Sequence, residues 1–476
     1  MIGDQDRWQE DIFVAGPLSD LIPDDHIVKQ VDKVLDLSWL RDVVRDCYDE
    51  QQGRPSIDPE SALRLMLAGY FQGIVHDRKL MREACVNLAI RWFAGYRLHE
   101  RLPDHSSLTR IRQRWGRDRF RRIFEKTVGM CIDAGLVSCE AVHMDATLIR
   151  ADVSWGSLVQ RHVEEVLEVN EPGDGPEAVS KRDKGGDRKK AKKVSKTDPE
   201  ATMATSNKKE RLKPSYKQHT SVDEANGVIV DVELTTGENS EGGMLPDALD
   251  RVEALTSKEV RRVTADRAYS SGGNYAECEE REMEAVIPPQ RERRKAKRIP
   301  LRRFKYDGRH KTVVCPFGKR LHRRYKTRHG WVYRGSIEDC GRCDHRQRCV
   351  SPKAKTRTVV IVDGYEALLR ARRKWVTDGV RLRSWYSRHR WRVEGVQGVS
   401  KTQHGLGRAV RRGLANVAIQ VYLTAAVMNL KSLARLFLWL FRCIEDQYRI
   451  PGGAVVASDG FFSSGPAVRI DSKAIA

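Results

Sequence analysis

Three acidic residues stand where carboxylates could do chemistry. Asp145 ends the apolar run of VHMDAT, Asp266 ends a second apolar run in VTADRAY, and Glu394 lies in the helical stretch HRWRVEGVQGVSK. Acids at the ends of neighbouring strands, joined by a third from a helix packed across them, can converge on two divalent cations. Hard Mg²⁺ prefers carboxylate oxygen and water, and Mn²⁺ can substitute for it. Two such ions about 3.5–4 Å apart activate an attacking oxygen and stabilise the leaving oxygen of a phosphodiester. Any single acid among the 65 Asp and Glu is most simply a surface residue. The combination of three placements is what points to catalysis.

The Glu394 helix sharpens the reading. At about 100° per residue, Arg390, Glu394, Gln397 and Lys401 are expected on one face, an acid between two cations. Such a face suits a site that holds metal and phosphate together. An exposed helix stitched by ion pairs is the plainer alternative, at about 0.3–0.5 kcal/mol per pair. Gly395 and Gly398 count against it, because each costs up to ~1 kcal/mol relative to Ala. They would let DNA or a sheet come close.

A second chemical group lies upstream. Cys315 is followed by Cys340, Cys343 and Cys349, a spacing that suits a tetrahedral structural Zn²⁺, with His322 or His345 able to replace one ligand. Separate buried thiols are the alternative. These cysteines sit between Arg291 and Val350, where 21 Lys and Arg face 5 Asp and Glu, a net 16 of the chain's +21. Phe304, Tyr306, Tyr325, Trp331 and Tyr333 are interleaved with the charge, as in a ribbon that tracks a phosphate backbone and stacks on bases. A solvated basic loop is the bland reading.

The elements that must position these groups follow from periodicity. The first stretch, 1–130, reads as a helical DNA-binding domain. Asp58 and Pro59 open a helix with Leu63, Met66, Leu67 and Tyr70 inward; a second carries Leu80, Met81, Ala84 and Leu88. A third, capped by Ser106 or Ser107, turns Leu108, Ile111 and Trp115 inward and leaves Arg110, Arg112, Arg114 and Arg117 for DNA, in the manner of a helix-turn-helix reader. A plain bundle with a basic face is equally compatible.

Residues 140–290 read as the first part of an α/β catalytic domain. One strand comes first, followed by 157–212, a basic, Gly- and Pro-rich segment expected to be mobile. Then come a hairpin turning at Asn226-Gly227, a helix from Leu245 to Leu255, the strand delivering Asp266, another helix and a short strand. The basic cysteine-bearing insertion spans 291–378. Residues 379–446 complete the catalytic domain with the Glu394 helix and a long apolar helix, and 447–476 form a disordered tail. A mixed sheet covered by helices is the expected class.

The chain resembles bacterial insertion-sequence transposases of the DDE type, which have a ribonuclease-H-like catalytic domain. Arg390, Glu394 and Lys401 match that group's R-x3-E-x6-K signature, and the segments around Asp145 and Asp266 look like its first two catalytic motifs. The stretch from Ile22 to His26, the run DPESALRLMLAGYFQG and the downstream RAVRRG also resemble it. Ser387 stands where the signature has Tyr, with Tyr386 one residue earlier. Ala146 and Ala268 stand where Gly is common.

The resemblance implies movement of a DNA element by its own enzyme. Two Mg²⁺ held by Asp145, Asp266 and Glu394 would serve hydrolysis at the element end and attack of the freed 3′-hydroxyl on target DNA. Arg390 and Lys401 would contact phosphate near the cut. The expected partners are double-stranded DNA, as terminal inverted repeats and as target, and a second copy of the chain on paired ends. Two rivals are a nuclease of this fold that cuts without joining, and a non-enzymatic zinc-containing DNA-binding protein.

Composition is consistent with this. A +21 chain favours a polyanionic partner. The opening residues MIGDQDRWQEDIFVAG lack the pattern of a secretory leader. The apolar stretch Leu414 to Leu430 carries Asn416, Gln420 and Thr424 every fourth residue, which suits a buried helix with a polar edge better than a membrane span. Ten Cys in a chain of this length suit reduced thiols in a cytoplasm.

Overall fold

The computed structural model describes residues 16–49, 56–154, 156, 158–161, 192–205, 211–290 and 298–448. Six helices come first: α1 (Ile27–Asp32), α2 (Leu40–Val44), α3 (Pro59–Phe71), α4 (Asp77–Val86), α5 (Leu88–Phe93) and α6 (His105–Asp133). Asp58 caps α3 by accepting from Ser61 N–H, and Pro59 fills the first turn, where its missing N–H costs nothing. Leu63, Met66, Leu67 and Tyr70 are all buried, as their spacing predicts.

Two local expectations change. The second helix breaks at Asn87, which leaves helical geometry and caps Ile90, so Leu88 opens α5 instead of closing α4. Asp104, not Ser106 or Ser107, caps α6, because its carboxylate accepts from Ser106 N–H. Leu108, Ile111 and Trp115 do point inward. Gly116 then takes φ +69°, a left-handed value that kinks α6 and is cheap only for glycine. Beyond the kink, Phe124 stacks on Tyr422, and Arg121 reaches Glu233 at 2.7 Å.

The catalytic sheet is built from β1 (Ala141–Arg150), β4 (Thr202–Ala204), β5 (Lys213–Asp223), β6 (Ile229–Thr236), β7 (Arg262–Ala265) and β8 (Glu284–Val286); β2 (Leu158–Arg161) and β3 (Lys192–Ser195) form a separate antiparallel pair. β1 lies between β5, to which it is antiparallel, and β7, to which it is parallel. β6 and β4 share the far edge of β5, and β8 extends the sheet parallel to β7. Helices α7 (Leu245–Thr256) and α8 (Gly272–Glu280) connect β6 to β7 and β7 to β8. Three antiparallel strands followed by two parallel ones, with this order, make a ribonuclease-H-like sheet.

The hairpin turn falls at Gly227, with φ +71°, where Asn226-Gly227 placed it. Of the segment 157–212, expected to be mobile, the described portions supply β2, β3 and the edge strand β4; residues 162–191 and 206–210 lie outside the described residues. So do residues 1–15 and 449–476, which include the opening sequence and nearly all of the expected tail.

The insertion has a core of its own, which its composition did not reveal. Strands β9 (Lys305–Asp307), β10 (Thr312–Val314), β11 (Arg320–Thr327), β12 (Gly330–Gly335) and β13 (Thr358–Val362) form an antiparallel sheet, with α9 (Ile337–Gly341) and α10 (Arg346–Cys349) between the last two. Phe304, Val313, Leu321, Val332, Tyr333 and Ile361 are buried in it. The chain returns at Gly364, where a Cβ would lie 2.1 Å from the Gly272 carbonyl, so this close approach requires glycine.

Four helical elements finish the fold: α11 (Tyr365–Thr377), α12 (Gly379–His389) running into a π-turn (Arg390–Glu394), α13 (Gly395–Thr402) and α14 (Leu414–Tyr448). By length and composition α14 could cross a membrane, yet 83% of its most apolar window is buried within the fold. Its polar edge works inward. Gln420 accepts from Val410 N–H at 3.0 Å and donates to the Arg408 carbonyl at 3.1 Å, which holds the RAVRRG loop.

Candidate active site

Parallel pairing sets the first two acids side by side. Met144 is opposite Ala265 in the register of β1 with β7, so Asp145 and Asp266 occupy the next step on adjacent strands, which lie about 4.8 Å apart. Asp266 then leaves the sheet and caps the turn Arg267–Tyr269, accepting from Ala268 N–H at 2.8 Å. Glu394 ends the π-turn with its side chain 56% exposed, paired with Arg390 at 3.2 Å.

The charges feel one another. Burial pushes the Asp145 carboxyl up to about 7; the Ala146 amide opposes this, and Asp266, Glu241 and Glu394 add to the rise. Asp266 is raised by burial as well, with the Ala268 amide lowering it and Glu241 raising it. Lys401 donates to Thr147 Oγ1, two residues beyond Asp145, and its own pKa is lowered by burial against the attraction of Asp145. Tyr386 also faces the group: burial raises its pKa, and Asp266, Asp145 and Glu394 all act on it.

Glu241 was not anticipated. It precedes the short turn Gly242–Met244 between β6 and α7, and Lys217 Nζ holds its Oε1 at 3.0 Å. Asn274 fastens this loop to the Asp266 loop by donating to the carbonyls of Gly242 and Tyr269, both at 2.8 Å. An acid opening the segment between the third strand of the sheet and the Asp266 strand was the available signal. It lacked a flanking apolar run to mark it.

The helix face behaves differently from the 100° projection. A π-turn spans Arg390–Glu394; Arg390 and Glu394 face solvent together, while beyond it Gln397 is buried and Lys401 turns towards β1. The one-residue offset of Tyr386 from its expected place accompanies this turn. Its ring stacks on His389, 5.5 Å away at 14°. A Cβ on Gly395 or Gly398 would meet nothing within 4 Å, so the sheet is not what these glycines accommodate.

Behind the acids runs a buried polar chain. His143 and Thr264 stand two residues before Asp145 and Asp266, and His389 ends α12. Thr264 Oγ1 contacts His143 Nδ1 and lies 3.1 Å from His389 Nδ1, while His143 Nε2 meets the Glu224 carboxylate. A carboxylate only accepts, so His143 donates from Nε2 and accepts from Thr264, which in turn accepts from His389. Burial drives the His389 pKa down to about 3, with His143 lowering it further, and burial also lowers that of His143. Both rings are therefore neutral at neutral pH.

The expected DNA contacts separate. Arg110 and Arg114 are exposed, Arg114 over the Tyr48 ring at 4.9 Å. Arg112 is 3% exposed and bound to Asp77, which also takes Arg411 at 3.0 Å. Burial lowers its pKa to about 9. The residue is a buried ion-pair partner and is not available to DNA. In the insertion, Phe304 and Tyr333 are likewise core, leaving Tyr325 and Arg323-stacked Trp331 nearer the surface. An open groove of about 1340 Å³ is lined by Arg302, Lys305, Tyr306, Arg372, Arg373 and Trp375 among others.

Among the described residues, no three acid, His or Cys side chains are already gathered closely enough to hold a metal ion. The fit to a divalent cation rests on the donors: oxygen-only ligands whose mutual repulsion and burial leave Asp145 hard to ionise alone.

A ribonuclease-H-like sheet with acids on adjacent central strands and a third on a helix defines the class of metal-dependent nucleases and polynucleotidyl transferases. Residues 180–430 match the family described as Transposase DDE domain, and residues 17–114 match Transposase domain (DUF772). The first match covers over half the chain and includes Asp266 and Glu394, while Asp145 lies 35 residues before its start (180 − 145 = 35). The chain belongs to the DDE transposase family, and it is a DNA transposase. No curated protein matches it.

Solved structures similar to it include the piggyBac transposase synaptic complex with hairpin DNA, at 11% identity over 86% of this chain and 72% of that one, with a TM-score of 0.31. The Mos1 transposase paired-end complex with left transposon end is 10% identical over 50% of this chain and 61% of that one, with a TM-score of 0.17. A Mos1 mariner paired-end complex with Mn is 12% identical over 50% and 62%, with a TM-score of 0.16.

Proposed function

We propose that Asp145, Asp266 and Glu394 are the acids with which this transposase cuts the ends of a mobile element and joins them to target DNA. The observation that carries this is the shared electrostatic field of the three, two on adjacent parallel strands and one on the π-turn. Together they would hold two Mg²⁺, or Mn²⁺, which when bound stabilise charge on the phosphate under attack. Glu241 is the fourth carboxylate at the same place and supports the first three.

The chain's own residues do the rest. Arg390, 80% exposed beside Glu394, would meet phosphate near the cut. Thr147 fixes Lys401 under Asp145, where its charge restrains the carboxylate and any phosphate brought to it. Arg110, Arg114 and the insertion's basic groove would grip double-stranded DNA, as terminal inverted repeats and as target. Two copies of the chain would hold the paired ends. The thiols Cys315, Cys340, Cys343 and Cys349 are assigned a structural Zn²⁺ and no part in the chemistry.

Incubation of pre-cut element ends with a target plasmid in Mg²⁺ tests the joining step. Covalent joined product is expected. Cleavage without any joined product would reduce the activity to that of a nuclease.

A further inference from the structure

Four thiols that no part of the strand-transfer chemistry uses line one small cavity. It measures about 40 Å³ and is walled by Cys315, Cys340, Cys343 and Cys349 together with Arg346 and Arg357. The four come from separate places: Cys315 follows β10, Cys340 lies in α9, Cys343 in the link to α10, and Cys349 closes α10. All are free thiols.

The turn after Cys315 is shaped around its sulfur. Cys315 N–H donates to the Lys319 carbonyl at 2.8 Å, Gly318 N–H donates back to the Cys315 carbonyl at 3.0 Å, and Gly318 takes φ +81°. The result aims Lys319 N–H at Cys315 Sγ, 3.3 Å away. An amide directed at a sulfur stabilises its anionic form and orients it as a ligand. On the opposite wall, a Cβ on residue 335 would lie 2.9 Å from Cys340 Sγ, so Gly335 keeps that sulfur's space open.

The walls also supply balancing charge. Arg346 is locked by the carbonyls of Cys340 and Lys355, at 3.1 and 2.9 Å, and Arg357 by those of Cys349 and Ile299, both at 2.9 Å. Arg357 Nε is buried without a hydrogen-bond partner. Four thiolates around one Zn²⁺ carry a net −2, which two guanidinium groups offset.

We propose that Cys315, Cys340, Cys343 and Cys349 bind one structural Zn²⁺ that pins α9 and α10 to the β10–β11 turn and so shapes the basic insertion for DNA. The sulfurs share one cavity without closing on a single point; at about 2.3 Å per Zn–S bond the metal gathers them by side-chain movement into that space. His345 takes no part. It stacks on Phe317, 4.2 Å away, and neither it nor His322 lines the cavity. The site gives the insertion a crosslink that its short strands lack.

Full-length protein purified under reducing conditions without added metal is measured for zinc by elemental mass spectrometry. One zinc per chain is expected, falling to background in the Cys340→Ser, Cys343→Ser double variant. Cobalt offered to stripped wild type should give the intense visible bands of tetrahedral thiolate coordination. Background zinc in wild type with no such cobalt spectrum overturns the proposal, as does a disulfide joining any two of these cysteines in the reduced preparation. Undiminished zinc in the double variant overturns it too. Chelation should cost the wild type at least a tenfold loss of DNA affinity; unchanged affinity overturns the role in shaping the insertion. Zinc content does not depend on strand transfer, so a negative result leaves the assignment of the acids standing, and the converse holds.

Discussion

Thr264 Oγ1 lies 3.1 Å from His389 Nδ1, so a single buried hydroxyl joins the strand that ends at Asp266 to the helix that leads into Glu394. The same oxygen contacts His143, two residues before Asp145. Each carboxylate-bearing element is thus anchored one layer below its acid. The hydrogen bonds run in one direction, from His389 through Thr264 and His143 to Glu224, and satisfy both ring nitrogens of His143.

Replacing Thr264 by Val keeps the shape and removes the hydroxyl. Two imidazole nitrogens then lose a partner in a buried site, at a cost of about 1–3 kcal/mol. Chemical denaturation should show that loss. The cleavage rate should fall with DNA affinity unchanged, and Thr264→Ser should restore it. Equal stability of the Thr264→Val variant and the wild type would remove the anchor from the account.

His389 makes the fold acid-sensitive. Its folded pKa, about 3, is depressed below the ordinary value of 6.5. The unfolded chain therefore takes up a proton that the folded chain refuses, and stability falls as pH drops from about 6.5 towards 3. Melting temperatures recorded between about pH 8 and about pH 4.5 should decline less steeply in His389→Gln than in the wild type. Parallel declines would show that this ring is not the sensitive group.

Arg112 and Arg110 should fail in different ways. Arg112→Met removes one charged partner of the buried Asp77, which keeps Arg411, and should destabilise by about 1–3 kcal/mol. Arg110→Ala should leave the melting temperature alone and reduce the salt slope of DNA binding by about 1. A variant of Arg112 with normal stability and weakened DNA binding would restore it as a DNA contact.

Divalent metal should relieve the crowding around Asp145. Its carboxyl is raised from 3.8 to about 7, so the folded chain holds a proton that the unfolded chain has released, and stability is lost as pH rises through that window. At about pH 8, beyond the window, Mg²⁺ should raise the melting temperature of the wild type, by less in Glu241→Gln and hardly at all in Asp145→Asn. Without metal, Asp145→Asn should melt above the wild type at the same pH. Identical Mg²⁺ shifts in all three proteins would contradict a shared site.

The strands and the acid that follows β7, Asp266, were legible because apolar runs and the Asn226-Gly227 turn carry local signals; Asp145, expected at a strand end, lies inside β1, which runs on to Arg150 through its pairing with β5. The alternation of antiparallel and parallel pairing around β1 was not legible, since it arises between distant segments. Helical spacing placed Gln397 on the Glu394 face, whereas the packing of α13 buries it; the π-turn ending at Glu394 was not legible, since nothing in local composition marks where a helix will widen. Arg112 looked like its neighbours until Asp77 and Arg411 closed over it. Glu241 and the His143–Thr264–His389 chain depend on tertiary juxtaposition alone.

The most direct test of the central claim is strand cleavage by Asp145→Asn on plasmid bearing the element's ends, in Mg²⁺ and beside the wild type. The variant is predicted to bind that DNA with undiminished salt sensitivity and to produce no cut. Cleavage at the wild-type rate would contradict the assignment.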